Sequence, residues 1–375
     1  MKRSPKQPTR IVAAIFWAAS LWLPVALTAA DPTADQQYWL ELINRMRRDP
    51  APELDKLVNL TSPSTWDTPK SDDAFIAAAL DYFGTDAATL TAQWSTLTAA
   101  PPIAWSSALS QSAVTYSNVM VTQDQQAHNL DGNTLSQRVL ASGYSPNWLQ
   151  FGESLFATTE SVIHGHAGFA IDWGDGNGGA AGFGTGIQDP ALHRLTMMDI
   201  SFKEVGIGFQ SISIPGTNVE ATGPIVVTQH FGTSYRSGGA TPISDAFLTG
   251  VIFSDSLLAD AFYTPGEGWA GIVIQVFDDL TNALLASGIS NSAGGFNLLL
   301  TGLTSGVTYR AEAVGTGLDA QTFTLNERTE DFGTPVTIFD NVYASFMAVP
   351  EPGSACLILI AALFSQKRRR LHATH

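Results

Sequence analysis

The sequence predicts an α+β chain, an α/β/α sandwich followed by a small all-β sandwich. Three observations carry this reading. Apolar residues recur at helical spacing in several segments before residue 174. Two later segments, 204–213 (EVGIGFQSIS) and 224–231 (PIVVTQHF), alternate as strands do. Beyond residue 247 the apolar period is that of strands alone.

The elements follow in order. Over 35–48, Trp39, Leu40, Ile43 and Met46 share one face, and Asp49-Pro50 stops the helix. Residues 51–100 are mixed, with helical character at 72–83 and 86–97. Pro101-Pro102 resets the chain before a helix over 106–122, with Leu109, Ala113, Tyr116, Val119 and Met120 inward. Shorter helices are expected over 134–142, ending at Gly143, and over 159–173. Seven glycines within 174–190 predict a mobile loop beside whatever cleft the first half carries. A linker rich in Gly, Ser, Thr and Pro spans 233–246. Strands are then expected at 248–254, 271–278, 283–289, 295–300, 307–314, 320–325 and 335–339, which places the β-module at 247–340.

Composition bounds the function. Only 14% of the 375 residues are charged and 45% are hydrophobic, which excludes a charged disordered tail or a coiled coil. Eight of the 19 basic residues lie in the terminal ten-residue segments. The 11 that remain face 34 acidic residues, a net charge of −23 between the ends. Such a body repels phosphate backbones, so no nucleic-acid partner is expected. The single cysteine, Cys356, excludes an intramolecular disulfide and a thiolate cluster.

Both ends read as addresses. Lys2, Arg3, Lys6 and Arg10 precede an apolar run over 11–30 that closes on Thr28 and Ala30, the pattern of a secretory signal cleaved after Ala30. At the other end, Val349-Pro350-Glu351-Pro352-Gly353-Ser354 precedes ACLILIAALF (355–364) and then Lys367 to Arg370. That order resembles the PEP-CTERM sorting signal, placed here at 349–371. The resemblance implies an exosortase-type partner and transient membrane anchoring through the tail. It also implies an exported protein, extracellular or on the surface of a Gram-negative-type bacterium. The apolar run of ten is shorter than the roughly 20 residues of a spanning helix.

Five of the seven histidines fall within 128–230, with Glu153 between apolar neighbours in Phe151-Gly152-Glu153-Ser154-Leu155. His230 alternates within an apolar strand and reads as a strand residue. The order of motifs around these residues resembles the CAP superfamily, also called SCP or PR-1-like, over about 36–232. The carrying segments are Leu42-Ile43-Asn44-Arg45 to Asp49-Pro50, Pro102-Ile103-Ala104-Trp105-Ser106, His128 with Asp131-Gly132, Gly152-Glu153-Ser154-Leu155, His193-Arg194, and Val227-Thr228-Gln229-His230-Phe231-Gly232. The resemblance implies a cleft of two histidines and two acidic residues. His128, Glu153 and His193 match three of them, and His166 matches a bacterial variant. The fourth, Asp172 or Asp175, stays open because the glycine-rich loop lets the alignment slip.

Two neutral imidazoles and a carboxylate suit a divalent cation with open positions. His128, Glu153 and His193 are therefore candidate ligands for zinc, magnesium or calcium. Read as scaffold instead, the histidines would only hydrogen-bond and Glu153 would cap a strand. The second half resembles carboxypeptidase-regulatory or serine-aspartate-repeat B modules, in which acidic loops bind calcium. Asp255, Asp260 and Glu267 are the candidates here, with Leu257, Leu258 and Ala259 where further oxygen ligands would stand.

Two functions follow from these readings. The first is binding of a lipid, glycan or protein ligand in the acidic and histidine-lined cleft. The second is a metal-dependent, peptidase-like hydrolase using the same cleft, with Glu153 as base. Gly152-Glu153-Ser154 lacks the Gly-x-Ser-x-Gly pattern of a nucleophile elbow, which favours binding over catalysis.

Overall fold

The computed structural model describes residues 31–60, 68–174, 184–212, 222–237 and 241–349. The predicted signal over 1–30, most of the sorting segment over 349–371, and the centre of the glycine-rich loop lie outside the described residues. Among the described residues no helix is long and apolar enough to cross a membrane.

The first half opens with helix α1 (Ala34–Arg48), closed at its start by a capping box between Thr33 and Gln36. Pro50, at the first helical position, then starts α2 (Pro50–Leu57). The sequence reading left this helix unassigned, because eight residues are too few to show a period. Asp73 caps α3 (Ala74–Phe83) and Asp86 caps α4 (Ala87–Trp94), each accepting backbone N–H groups of the first turn. Strand β1 (Ala104–Trp105) leads into α5 (Ser107–Gln123), capped by Ser106, and Thr134 boxes the start of α6 (Leu135–Ala141).

Strand β2 (Trp148–Thr159) comes next and was not foreseen, since its residues do not alternate cleanly. The helix expected over 159–173 is shorter and in two parts: α7 (Val162–Ala167), then a π-helical turn over Gly168–Asp172. Helix α8 (Leu192–Met198) precedes β3 (Glu204–Ser211) and β4 (Ile225–Ser234).

These strands form one sheet in the order β1-β3-β4-β2, with β2 on the edge. The alternation in β3 and β4 sends Val205, Ile207, Val227 and Phe231 into a core shared with Trp39, Ile43 and Phe169. The opposite face carries Gly206, Gly208, Thr228 and His230. There α5 lies so close that a Cβ on Gly206 would sit 1.9 Å from Ser110 N. Helices on both faces of the sheet make the predicted three layers.

The second half holds strands β5 (Ile243–Ser244), β6 (Ala246–Ser254), β7 (Val273–Asp278), β8 (Leu284–Ile289), β9 (Gly295–Leu300), β10 (Thr308–Ala313), β11 (Gln321–Thr324), β12 (Glu327–Asp331), β13 (Pro335–Phe339) and β14 (Val342–Ala348). The sheets run β11-β10-β7-β8, β14-β6-β9 and β12-β13-β5. Leu248, Ile252, Ile274, Val276, Phe296, Tyr309 and Phe346 bury one core between the first two of these. Strand β14 pairs in parallel with β6, so the module extends past the expected boundary at 340. Its first short strand, β5, lies inside the expected linker.

The halves share an interface on α1. Tyr343 donates a hydrogen bond of 2.6 Å to buried Glu41. The Arg48 guanidinium lies 3.9 Å from the Tyr343 ring centre, and Arg45 lies 4.3 Å from that of Phe262. Asn297 and Asn341 donate to the carbonyls of Trp105 and Lys203.

Candidate functional site

Two polar clusters and one cleft gather around β2. In the antiparallel pairing of β2 with β4, Glu153 faces His230. Both project toward α5, where the His230 ring lies against Tyr116. Glu153 Oε1 accepts from His128 Nδ1 at 2.7 Å, and Oε2 accepts from His230 Nε2 at 2.7 Å and from Arg138 Nη2 at 2.6 Å. Arg138 comes from α6 and also holds Asp131 and the carbonyls of His128 and Asn133. Its guanidinium lies 3.9 Å from the Tyr116 ring centre. Burial alone would push the Glu153 carboxyl up. The hydrogen bonds from His128 and His230 and the nearby positive charge outweigh it and hold the group down at about 2. Burial lowers His230, so its ring is neutral at neutral pH.

The second cluster belongs to the opposite helical layer. Asp172 ends the π-helical turn in the left-handed region, with φ of 60°, a conformation that an Asp tolerates at a cost of about 1 kcal/mol. Its carboxylate is buried and accepts the His193 backbone N–H at 2.9 Å and the His193 ring Nδ1 at 2.7 Å. Of the two acids left open by the sequence, Asp172 is thus the partner of His193, while Asp175 lies outside the described residues.

His128 and Glu153 therefore meet, Asp172 and His193 meet, and the expected trio of His128, Glu153 and His193 is not one cluster. No group of three His, Cys, Asp or Glu side chains among the described residues is placed to hold a metal ion. The reason is local. The Glu153 oxygens are taken up by two imidazoles and a guanidinium, and Arg138 opposes a cation at that carboxylate. The donor set does not fit the zinc, magnesium or calcium expected from the sequence.

His166 also differs from expectation. It is fully buried on α7, with Nε2 3.1 Å from Glu53 Oε1, and Glu53 is held bidentately by Arg45 at 2.6 and 2.8 Å. Of the two histidines on α7, the one that lines the open cleft is His164, two positions earlier. Its Nδ1 accepts the Glu160 backbone N–H at 3.1 Å, and burial holds its pKa below the usual value. The sequence offers His164 as one of several candidate histidines but gives it no role, because nothing local separates it from His166 in Val162-Ile163-His164-Gly165-His166.

The cleft itself, of about 620 Å³, lies between α3 and β2. Phe75, Tyr82 and Phe83 line it from α3, Leu155, Phe156 and Thr158 from β2, and His164, Phe169, Asp172, Trp173 and His193 from the floor and far side. Gly174 and Gln188, at the two ends of the glycine-rich segment, border it.

In the second half, Glu267 Oε1 accepts the backbone N–H groups of Ser256, Leu257 and Leu258, and Oε2 accepts that of Thr264. Asp255 Oδ1 accepts those of Asp260 and Ala261. The Asp260 carboxylate accepts Phe262 N–H. These acids staple the 255–267 loop through its own amides, as in a loop that keeps its turn without the calcium that Asp255, Asp260 and Glu267 were candidates to bind.

No known family profile and no curated protein matches the chain. Solved structures show shallow likenesses. An extracellular protein containing an SCP domain from Bacillus anthracis matches at TM-score 0.25 and 17% identity, over 36% of this chain and 34% of that one. The shaft pilin SpaA from Lactobacillus rhamnosus GG matches at TM-score 0.21 and 12% identity, over 28% of this chain and 49% of that one. The plantain pollen allergen Pla l 1 matches at TM-score 0.18 and 14% identity, over 29% and 99%. An SCP-domain protein is thus a weak structural neighbour, while the α+β class rests on the helices and sheets described above.

Proposed function

We propose that the chain is an exported, CAP-like binding protein whose first half receives a small ligand with an apolar body in the cleft between α3 and β2. The observation that carries this is the cleft's lining of aromatic side chains around an open volume suited to a small molecule. The β-module, docked on α1, would serve as a spacer. The address-like segments 1–30 and 349–371 support a place outside the cell or on its surface, with an exosortase-type enzyme and transient anchoring as the route.

The Asp172–His193 pair is the one feature that favours hydrolysis, because a carboxylate orients the imidazole as in a general base. The described residues lining the cleft include no serine or cysteine, so that imidazole has no such nucleophile to activate. Binding is the better reading.

Titration of the full chain with Nile red, a neutral apolar dye, tests it. Saturable fluorescence enhancement is expected. Phe75 and Tyr82 are 48% and 83% exposed, so their replacement spares the core. The double variant Phe75→Ser, Tyr82→Ser should weaken the dye about tenfold. No saturable binding, or equal binding by the double variant, overturns the proposal.

A further inference from the structure

Resting on that reading, we infer that the cleft selects a ligand with a cationic, methylated ammonium head, seated against the rings of Phe156, His164 and Trp173. Three observations lead there.

The first is the aromatic wall. The His164 ring centre lies 5.3 Å from that of Trp173, 5.5 Å from Phe156 and 6.2 Å from Phe75. Phe156 and Trp173 meet edge-on at 6.4 Å, so the rings form a continuous surface rather than isolated contacts. Ring faces carry negative potential and attract a desolvated cation.

The second is charge. Among the described residues that line the cleft there are two carboxylates, Asp172 and Glu160, and no lysine or arginine. Asp73 adds a third negative charge near His164. Burial keeps His164 neutral at neutral pH, so its ring adds a face and not an opposing charge. An anionic head such as a free carboxylate would meet this potential with no lysine or arginine among the described lining residues to pair with.

The third concerns which cation fits. Both oxygens of Asp172 already accept from His193, and the carboxylate is buried. Being buried, Asp172 acts on the head through its field, and the wall beside it presents rings. A primary ammonium or guanidinium brings N–H donors that need partners when desolvated. A quaternary ammonium brings none. The rest of the volume takes an apolar body.

Displacement of Nile red from the full chain tests the inference with three probes of one chain length, each below its micellar concentration: decyltrimethylammonium, decylamine and decanoate. Decyltrimethylammonium should displace the dye at a concentration about tenfold lower than either of the others. Glu160 is exposed at the rim, so Glu160→Gln leaves the fold intact and should weaken decyltrimethylammonium about threefold without weakening decanoate. Phe75→Ala should weaken the cation by a similar factor. If decanoate competes as well as the cation, the head-group inference falls while the binding function stands. Equal competition by decylamine overturns the methylated head. If Nile red itself does not bind, the proposed function falls first.

Discussion

Glu153 holds two imidazoles and a guanidinium on its two oxygens, and its acid–base behaviour follows from them. Its carboxyl is held at about 2 against an ordinary 4.5. The folded state thus favours the charged form, and this stability is present above pH 4.5 and lost as pH falls toward 2. The difference corresponds to about 3 kcal/mol. Glu53, lowered by Arg45 and His166 against its burial, acts in the same direction. His164 and His230 have pKa values lowered by burial, so the unfolded chain takes up protons first, and stability also falls below about pH 6.5. Glu41 and Glu204, pushed up by burial, act with opposite sign, so a difference between variants isolates Glu153. Urea midpoints measured from pH 7 to pH 2 should show wild type losing its advantage over E153Q below pH 4.5. At neutral pH E153Q should be less stable by about 3 kcal/mol, because buried Arg138 loses its counter-charge and the His230 N–H loses its charged acceptor. Parallel curves for the two proteins would refute this.

At the scale of elements, α5 and β3 are joined through glycines. A Cβ on Gly206 would lie 1.9 Å from Ser110 N and 2.1 Å from Leu109 C. One on Gly208 would lie 2.3 Å from Ala113 O. All of these are backbone atoms of the helix, which yield only if α5 moves off the sheet. Gly206→Ala and Gly208→Ala should each cost about 3 kcal/mol. Because α5 carries Tyr116 and leads to His128, the same variants should disturb the Glu153 cluster, read as a changed His128 imidazole signal in NMR. A melting temperature within a degree or two of wild type would contradict the close approach. Helix α5 and strand β3, the latter over Glu204–Ser211, are legible from their periods alone. Strand β2 is not, because Gln150, Glu153 and Ser154 break its pattern for reasons of pairing with β4.

For the whole molecule, the α1 interface makes the two halves one unit. Glu41 is buried and accepts from Tyr343 and Gln37, and burial raises its carboxyl despite both bonds. Lys203, at the junction, donates to the Ser244 carbonyl and hydroxyl and to the Asp245 carbonyl. Thermal unfolding of the full chain should therefore show one transition, with near-ultraviolet and far-ultraviolet signals coinciding. Tyr343→Phe leaves buried Glu41 short of a donor and should cost about 1–3 kcal/mol. Two well-separated transitions in the wild type would mean that the halves are independent.

Local order along the chain determined much of this. Caps at Thr33, Ser106 and Thr134, the stop at Asp49-Pro50, and the periods of helix and strand are written in adjacent residues, so the α+β class and most elements could be read from sequence. The residues His128, Glu153 and His193 could be picked out by type and motif order. Which polar groups meet was decided by tertiary closure. Glu153 and His230 are 77 residues apart and join only because β2 pairs with β4. Asp172 finds His193 through a π-helical turn that no period announces. His166 goes to Glu53, 113 residues away, while His164 faces the cleft. Partner choice between distant polar groups depends on register and layer, and a local pattern carries neither.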